Sequence, residues 1–419
     1  MRRRDALLTA LAAAALPVAG CGSGDQAGTT TVRLLTPIFE GITGKRTLEA
    51  QLARYRARHP GVRVEVDYSD YDNLNQKLTT AAASGRPYDV MMLGVGWVPP
   101  FASRGVLADL GTSVETLAGR YPRRAVEGGT YQGRVYALPV MLDTRYGVYR
   151  RDVFAEAGLD RPPRDFAELR EYARLLTRRD ENGRLLRAGF DFLSLDLRQG
   201  YLTMLWAAGG ELFDASGERA VFNSAAGVRA LETMVRLVRE DRALDVGFTK
   251  VDDVNTAILH GRSAMAIAHN NLWRAAKKQN PRLLDEERLG TFLISDARPA
   301  MFVGGTLAAM SAQTRRPGLA RDLVELLADP VTSLAASQQR GNVPAVTSLT
   351  GNGYVRTNPF VRFPMANMAH GHVEGGTTAW LAIRSGFKPA IESALLGRKT
   401  PRQALDDLVA KAVKAQRRG

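Results

Sequence analysis

Leu138-Pro139-Val140-Met141-Leu142-Asp143-Thr144-Arg145-Tyr146-Gly147-Val148-Tyr149-Arg150-Arg151-Asp152 lies in the first half of a 419-residue chain, and its reading decides the rest. Pro139 has no N–H to give to a ladder, so it belongs at the start of an extended segment rather than inside a central strand. Val148 and Tyr149 suit a strand, and the charged Arg150-Arg151-Asp152 closes it. Between them sits Asp143, one carboxylate in an extended crossing segment. Taken alone, such an Asp reads as a solvated loop residue.

Working outward towards the N-terminus, Val32 to Leu35 is a short apolar strand broken by Thr36-Pro37. Leu48, Leu52 and Tyr55 have helical spacing, and His59-Pro60-Gly61 stops that helix. Val62, Val64 and Val66 alternate with Arg63, Glu65 and Asp67, which predicts a half-buried strand. Leu74 and Leu78 open another helix, ended near Gly85-Arg86-Pro87. Val90-Met91-Met92-Leu93 is continuously apolar, the pattern of a strand covered on both faces. Strands alternating with helices predict a parallel-rich α/β lobe. Ligands of such sheets bind beyond the carboxyl ends of the strands. The loops carrying Glu40 and Gly94-Val95-Gly96-Trp97 are therefore candidates for one wall of a site.

Towards the C-terminus, Asp165 is a candidate N-cap with Glu168 three residues on, and Asn223 or Ser224 can cap the next long helix. Phe302-Val303-Gly304-Gly305-Thr306 is a second extended crossing candidate, whose glycines allow close backbone approach or hinge rotation. A third crossing is expected within 345–355. Thr400-Pro401-Arg402-Gln403 is a capping box with Pro at the first helical position. Each of the four tryptophans, Trp97, Trp206, Trp273 and Trp380, reads as core when taken alone, though Trp97 and Trp273 follow strand ends.

Several short patterns occur in a fixed order. Tyr88-Asp89-Val90, Phe101-Ala102 and Gly105-Val106-Leu107-Ala108-Asp109-Leu110 follow "P-D-V … F-A … G-x-L-x-D-L", with Tyr88 replacing Pro. Phe154 to Asp160 follows "F-x-x-A-G-L-D". Trp206-Ala207-Ala208-Gly209-Gly210, Phe222-Asn223-Ser224, Gly261 to Ile267 and Gly341-Asn342-Val343-Pro344 come after it. The series resembles family 1 solute-binding proteins of ABC transporters, the maltose-binding-protein class, over nearly all of the mature chain.

The resemblance implies an α/β, two-lobed periplasmic-binding-protein fold (type II, Venus-flytrap) with multiple interlobe crossings. Lobe 1 would comprise 31–140 and 302–345, and lobe 2 would comprise 141–301 and 346–419. Asp143, on the first crossing, would hold a sugar. Trp380 and Arg384, a Trp-x-x-x-Arg pair on one face of a late helix, would lie in the cleft. The strand ending in His269-Asn270-Asn271-Leu272-Trp273 is longer than the family's "G-x-W", and it brings Asn271 and Trp273 to the candidate site. Trp97, Glu40, Gly304 and Gly305 complete it. The implied function is capture of a carbohydrate for an ABC importer and delivery to its permease. The alternatives are a glycerophosphodiester or other charged ligand in the same role, or a glycoside-active enzyme. Glycosidases generally need two carboxylates about the bond, and no nucleophilic or phosphate-loop signature is present, so no catalytic residue is expected.

Composition bounds the remainder. The length allows two domains, each with its own core. The formal net charge of +14 comes from arginines scattered along helical patterns, with no aromatic-interleaved basic block, so nucleic acid is not an expected partner. Five histidines, of which His370 and His372 form the one close pair, and a lone Cys argue against a metal site, and no cofactor is expected. That Cys is placed distinctively. Arg2-Arg3-Arg4 precede an apolar run from Ala6 to Leu16, and then come Val18-Ala19-Gly20-Cys21. The pattern resembles a bacterial lipobox, implying a signal peptide over 1–20, a lipid on Cys21 and a flexible tether over 21–30. The expected product is a monomer, anchored by lipid on the extracytoplasmic face of the cell membrane.

Overall fold

The computed structural model describes residues 30–217, 219–249 and 256–417. Residues 1–20 and Cys21 lie outside the described residues. Strands are β1 (Thr30–Thr36), β2 (Val62–Tyr68), β3 (Val90–Gly94), β4 (Thr130–Tyr131), β5 (Arg134–Val135), β6 (Ala137–Arg150) and β7 (Arg178–Arg179). They continue with β8 (Leu185–Asp191), β9 (Ser263–His269), β10 (Leu289–Phe292), β11 (Ile294–Ser295), β12 (Pro299–Met310), β13 (Val343–Pro344) and β14 (Gly371–Val373).

The main sheet has the order β2-β1-β3-β12-β6-β9-β8-β7. β3 is buried along its whole length, between parallel β1 and antiparallel β12. β2 is the edge strand, and its valines are half-buried. β6 and β12 run antiparallel to each other from Ala137 to Arg145 and Phe302 to Ala309. Each changes its other neighbour near the middle. On β12, Met301–Val303 pair with β14, whereas Thr306–Met310 pair with β3. On β6, Met141–Leu142 pair with β13, whereas Arg145–Tyr149 pair with β9. The two long strands therefore belong to two half-sheets, and the fold is two-lobed α/β with Asp143-Thr144 and Gly304-Gly305 at the exchange.

Helices cover the half-sheets. Leu197–Ala207, Ala225–Arg239, Phe387–Leu395 and Pro401–Gln416 bury one core around Trp206, Trp380 and Phe387. Gly41–Arg58, Pro317–Leu327 and Pro330–Arg340 cover β1 and neighbouring strands. Val346, Val355, Phe360 and Met368 pack into this second cluster, which also holds Tyr146 and Leu272. Residues within 345–355, where a third crossing is expected, form a 3-10 turn (Thr347–Leu349) and the start of the Gly353–Thr357 helix. Extended pairing there is confined to Val343–Pro344, because the Thr, Ser, Gly and Asn that follow favour turns and caps. The caps follow the sequence: Asp165 accepts from Glu168 N at 2.8 Å, Ser224 from Gly227 N, and Thr400 closes a full capping box with Gln403.

Candidate functional site

Asp143 sits where β6 exchanges neighbours, paired across to Gly304. A Cβ at 304 would lie 2.6 Å from Asp143 Oδ1, so glycine there is what makes room for the carboxylate. Arg145, two residues on and on the same strand face, brings Nη1 to 3.2 Å from Oδ1. Gln199 Oε1 accepts from Arg145 Nε at 2.8 Å and fixes the guanidinium. His269, the last residue of β9, places Nε2 3.7 Å from Asp143 Oδ2. Its Nδ1 accepts from the Asn271 backbone N–H at 3.0 Å, which leaves the proton on Nε2, facing the carboxylate.

Burial alone would raise the Asp143 carboxyl, but the Arg145 guanidinium and the His269 ring outweigh it and hold the group well below the usual carboxylate range. Burial, together with Arg145, pushes His269 down to about 4, against the pull of Asp143. At neutral pH the pair is an ionised Asp and a neutral His. Beside it lies a cavity of about 300 Å³ with Glu40, Tyr71, Asn271, Arg274, Arg340 and Asn342 among its walls. Arg340 is paired with Glu40 at 2.9 Å. Tyr71 OH is 2.6 Å from Thr306 Oγ1. The size falls at the lower end for small-molecule sites, ~300–1,000 Å³, and the lining is unusually polar for one.

A second group of residues gathers at the other end. Trp97 is buried against Phe101, meets Tyr71 edge-on, and carries the Arg384 guanidinium 5.9 Å from its ring centroid. Trp380 is fully buried, with Phe213 and Phe387 against it, and its Nε1 has no hydrogen-bond partner among the described residues. Backbone closes over it: a Cβ at Gly96 would lie 2.8 Å from Trp380 Nε1, and one at Gly375 only 2.6 Å from Gly96 Cα. Arg198 and Glu374 form a buried ion pair, Arg198 also reaching Asp196 at 3.0 Å.

The family profile of bacterial extracellular solute-binding proteins matches residues 41–332. The chain belongs to this family. Among curated relatives, a putative binding protein of Brucella abortus is 25% identical over 276 residues, covering 64% of this chain and 65% of that protein. The chain thus spans just under two thirds of that relative's length. The diacetylchitobiose binding protein of Streptomyces coelicolor is 22% identical, covering 73% of this chain and 71% of its own. Among solved structures, the sugar-binding protein MalE of Xanthomonas citri superposes with a TM-score of 0.79 at 19% identity, over 93% of this chain and 98% of that one. The cyclic alpha-maltosyl-1,6-maltose binding protein of Arthrobacter globiformis gives 0.76 at 24%, over 94% and 100%. At these identities the likeness shows the fold.

In this solute-binding protein the sequence-derived residues fall into separate places. Asp143, Glu40 and Asn271 line one cavity, with Gly304 and Gly305 at the exchange beside it. Gly305 has φ +146 and accepts from Val95 N–H at 3.1 Å, so its role is in the backbone. Trp97, Trp380 and Arg384 form the second group. Trp380, expected as a ring on a cleft wall, is instead packed on all sides, because the 94–97 and 374–376 loops meet over it. Trp273 is half-buried beneath Lys277 Nζ, 3.7 Å from its centroid, and is not among the residues lining the cavity. Sequence reasoning missed Arg145, His269, Tyr71, Arg274, Arg340 and Asn342. Only Arg145 had a usable signal, its two-residue spacing from Asp143 on an extended strand.

Proposed function

We propose that this chain is the substrate-binding component of an ABC importer, taking a carbohydrate into the cavity beside Asp143 and delivering it to the permease. The observation that carries this is the ionised Asp143 at the exchange of both crossing strands, opening on a small polar cavity. An ionised carboxylate accepts sugar hydroxyl hydrogens, and guanidinium and amide groups serve the hydroxyl oxygens. Both carboxylates of the cavity are paired within the protein, while Arg274 keeps its charge. Arg145 faces Asp143, Arg340 faces Glu40, and Arg274 donates to the Gln339 carbonyl. The names of the diacetylchitobiose and MalE relatives point to the same ligand class.

In this reading the segments 31–140 with 302–345, and 141–301 with 346–419, move as two lobes about β6 and β12. Cys21 carries lipid and holds the mature chain at the extracytoplasmic membrane face. Among the described residues no helix is long and apolar enough to cross a membrane. Two or more acyl chains anchor stably, at about 0.8 kcal/mol per buried CH₂, and Cys21→Ser should release the protein from membranes. The central test is calorimetric titration and thermal shift across mono- and oligosaccharides and a glycerophosphodiester, with chromatography of the recovered ligand. Saturable binding of an unaltered sugar is expected. Binding confined to the phosphodiester, or turnover of the sugar, would overturn the proposal.

A further inference from the structure

β6 has a gap in its ladder. On the edge away from β12, β13 pairs only as far as Leu142, and β9 takes over only at Arg145. Asp143 and Thr144 lie between. The Thr144 N–H, in a fully buried residue, has no strand to donate to on that edge. It donates instead to the side chain of Asn270, with Oδ1 at 2.7 Å, and Thr144 Oγ1 is 3.3 Å from the same oxygen. Asn270 is itself fully buried. Its Nδ2 donates to the Gly341 carbonyl at 2.8 Å and lies 3.3 Å from Asn342 Oδ1.

We infer that Asn270 is a positioning residue that splices the two half-sheets at the ligand cavity. One planar amide supplies an acceptor to the crossing strand and a donor to the segment entering β13. No other side chain of that length carries both: Asp lacks the donor, and Leu or Thr cannot span the two partners. Through these bonds Asn270 holds Asp143, next to Thr144, in register with Asn342 and with its own neighbour Asn271, all three of which line the cavity. Gly341 supports the splice, since its φ of +79 turns the chain and a Cβ there would crowd Asn271 and Arg274 at 3.2–3.3 Å. The functional weight of this placement rests on the carbohydrate-binding reading; the splice itself does not.

The test uses hydrogen exchange by mass spectrometry on the intact folded chain, without ligand, for Asn270→Ala and Asn270→Asp. In Asn270→Ala, exchange in peptides covering 141–146 and 341–345 should rise about tenfold or more, because a buried donor loses its acceptor. The Pro401–Gln416 helix, in the other core, should be unchanged. Asn270→Asp keeps the acceptor for Thr144, but an ionised carboxylate faces the Gly341 carbonyl, so its pKa should rise. Protection near the splice should then be restored towards pH 5, as the protonated acid regains a donor, and lost towards pH 8. The charged and titratable groups around it are His269, Arg274, Asp143, Arg145 and Arg340. Of these His269 titrates near 4, below the window used. Wild-type protection, corrected for intrinsic rates, should be flat across the window. Unchanged protection in both variants, or a uniform loss across the whole chain, would overturn the proposal. Failure of every sugar to bind would overturn the carbohydrate reading alone.

Discussion

Asp143 and Arg145 occupy one strand face, and their mutual charge keeps the site ready for hydroxyl donors at any ordinary pH. Asp143→Asn should weaken sugar binding by about ten- to a hundredfold, since bonds to charged groups contribute ~1.5–3 kcal/mol and 1.4 kcal/mol is tenfold. Titration calorimetry checks this. His269 carries part of the pH dependence. Its folded pKa, about 4, lies below the unfolded ~6.5, so the unfolded chain binds the extra proton between those values. Stability is therefore fully present above pH ~6.5 and falls as pH drops towards 4. His372, half-buried and stacked on Trp206, is likewise pushed down to about 4 and adds to the same window, so His269→Gln should remove only part of the slope. Trp380→Ala should cost about 3–5 kcal/mol of stability, as for other large core truncations, read as a lower melting temperature. Arg384→Ala, with no hydrogen bond among the described residues to lose, should leave melting nearly unchanged. These two residues show what sequence leaves hidden. A Trp at the start of a helix reads the same whether its ring meets a ligand or a glycine loop distant in sequence. Asp143 taken alone reads as a solvated loop residue, and only the family resemblance singled it out.

At the level of elements, the two crossing strands were legible and their partners were not. Pro139, expected to open the extended segment, lies two residues inside β6 beside the register shift opposite Thr306 and Leu307, where a bulge spares it a ladder bond, and the glycine pair lies within β12. The exchange of β13 for β9, and of β14 for β3, has no local signature: β13 has two residues and β14 three. Caps were legible because Asp, Ser and Thr satisfy helix donors three residues ahead, a purely local matter. Thr400→Ala should accordingly cost about 1 kcal/mol in chemical denaturation. Gly304→Ala is the sharper test of the crossing. The added methyl would sit against Asp143 Oδ1, so the carboxylate has to turn away. We expect sugar affinity to drop at least about tenfold, a single hydrogen bond to a charge being worth that much, with a smaller change in melting than Trp380→Ala produces.

At the scale of the whole molecule, the backbones of Gly96 and Gly375 meet closely. A methyl at Gly375 would overlap Gly96, so Gly375→Ala should favour the open form, seen as a larger radius of gyration in solution scattering. Both lobes also depend on a strand that is made late. β12 lies between β3 and β6, some two hundred residues downstream of one and about 150 downstream of the other. While the chain is being synthesised, β3 and β6 have no common neighbour, and each offers bare edges. The half-sheet of β1, β2 and β3 therefore cannot finish before β12 and then β13 have emerged, at residue 344, although those three strands and β6 are complete by residue 150. Folding is held back by the order of the sheet, and a chain cut before Pro299 should remain open and prone to aggregate. The same delay would suit a protein that is threaded through a membrane before it folds.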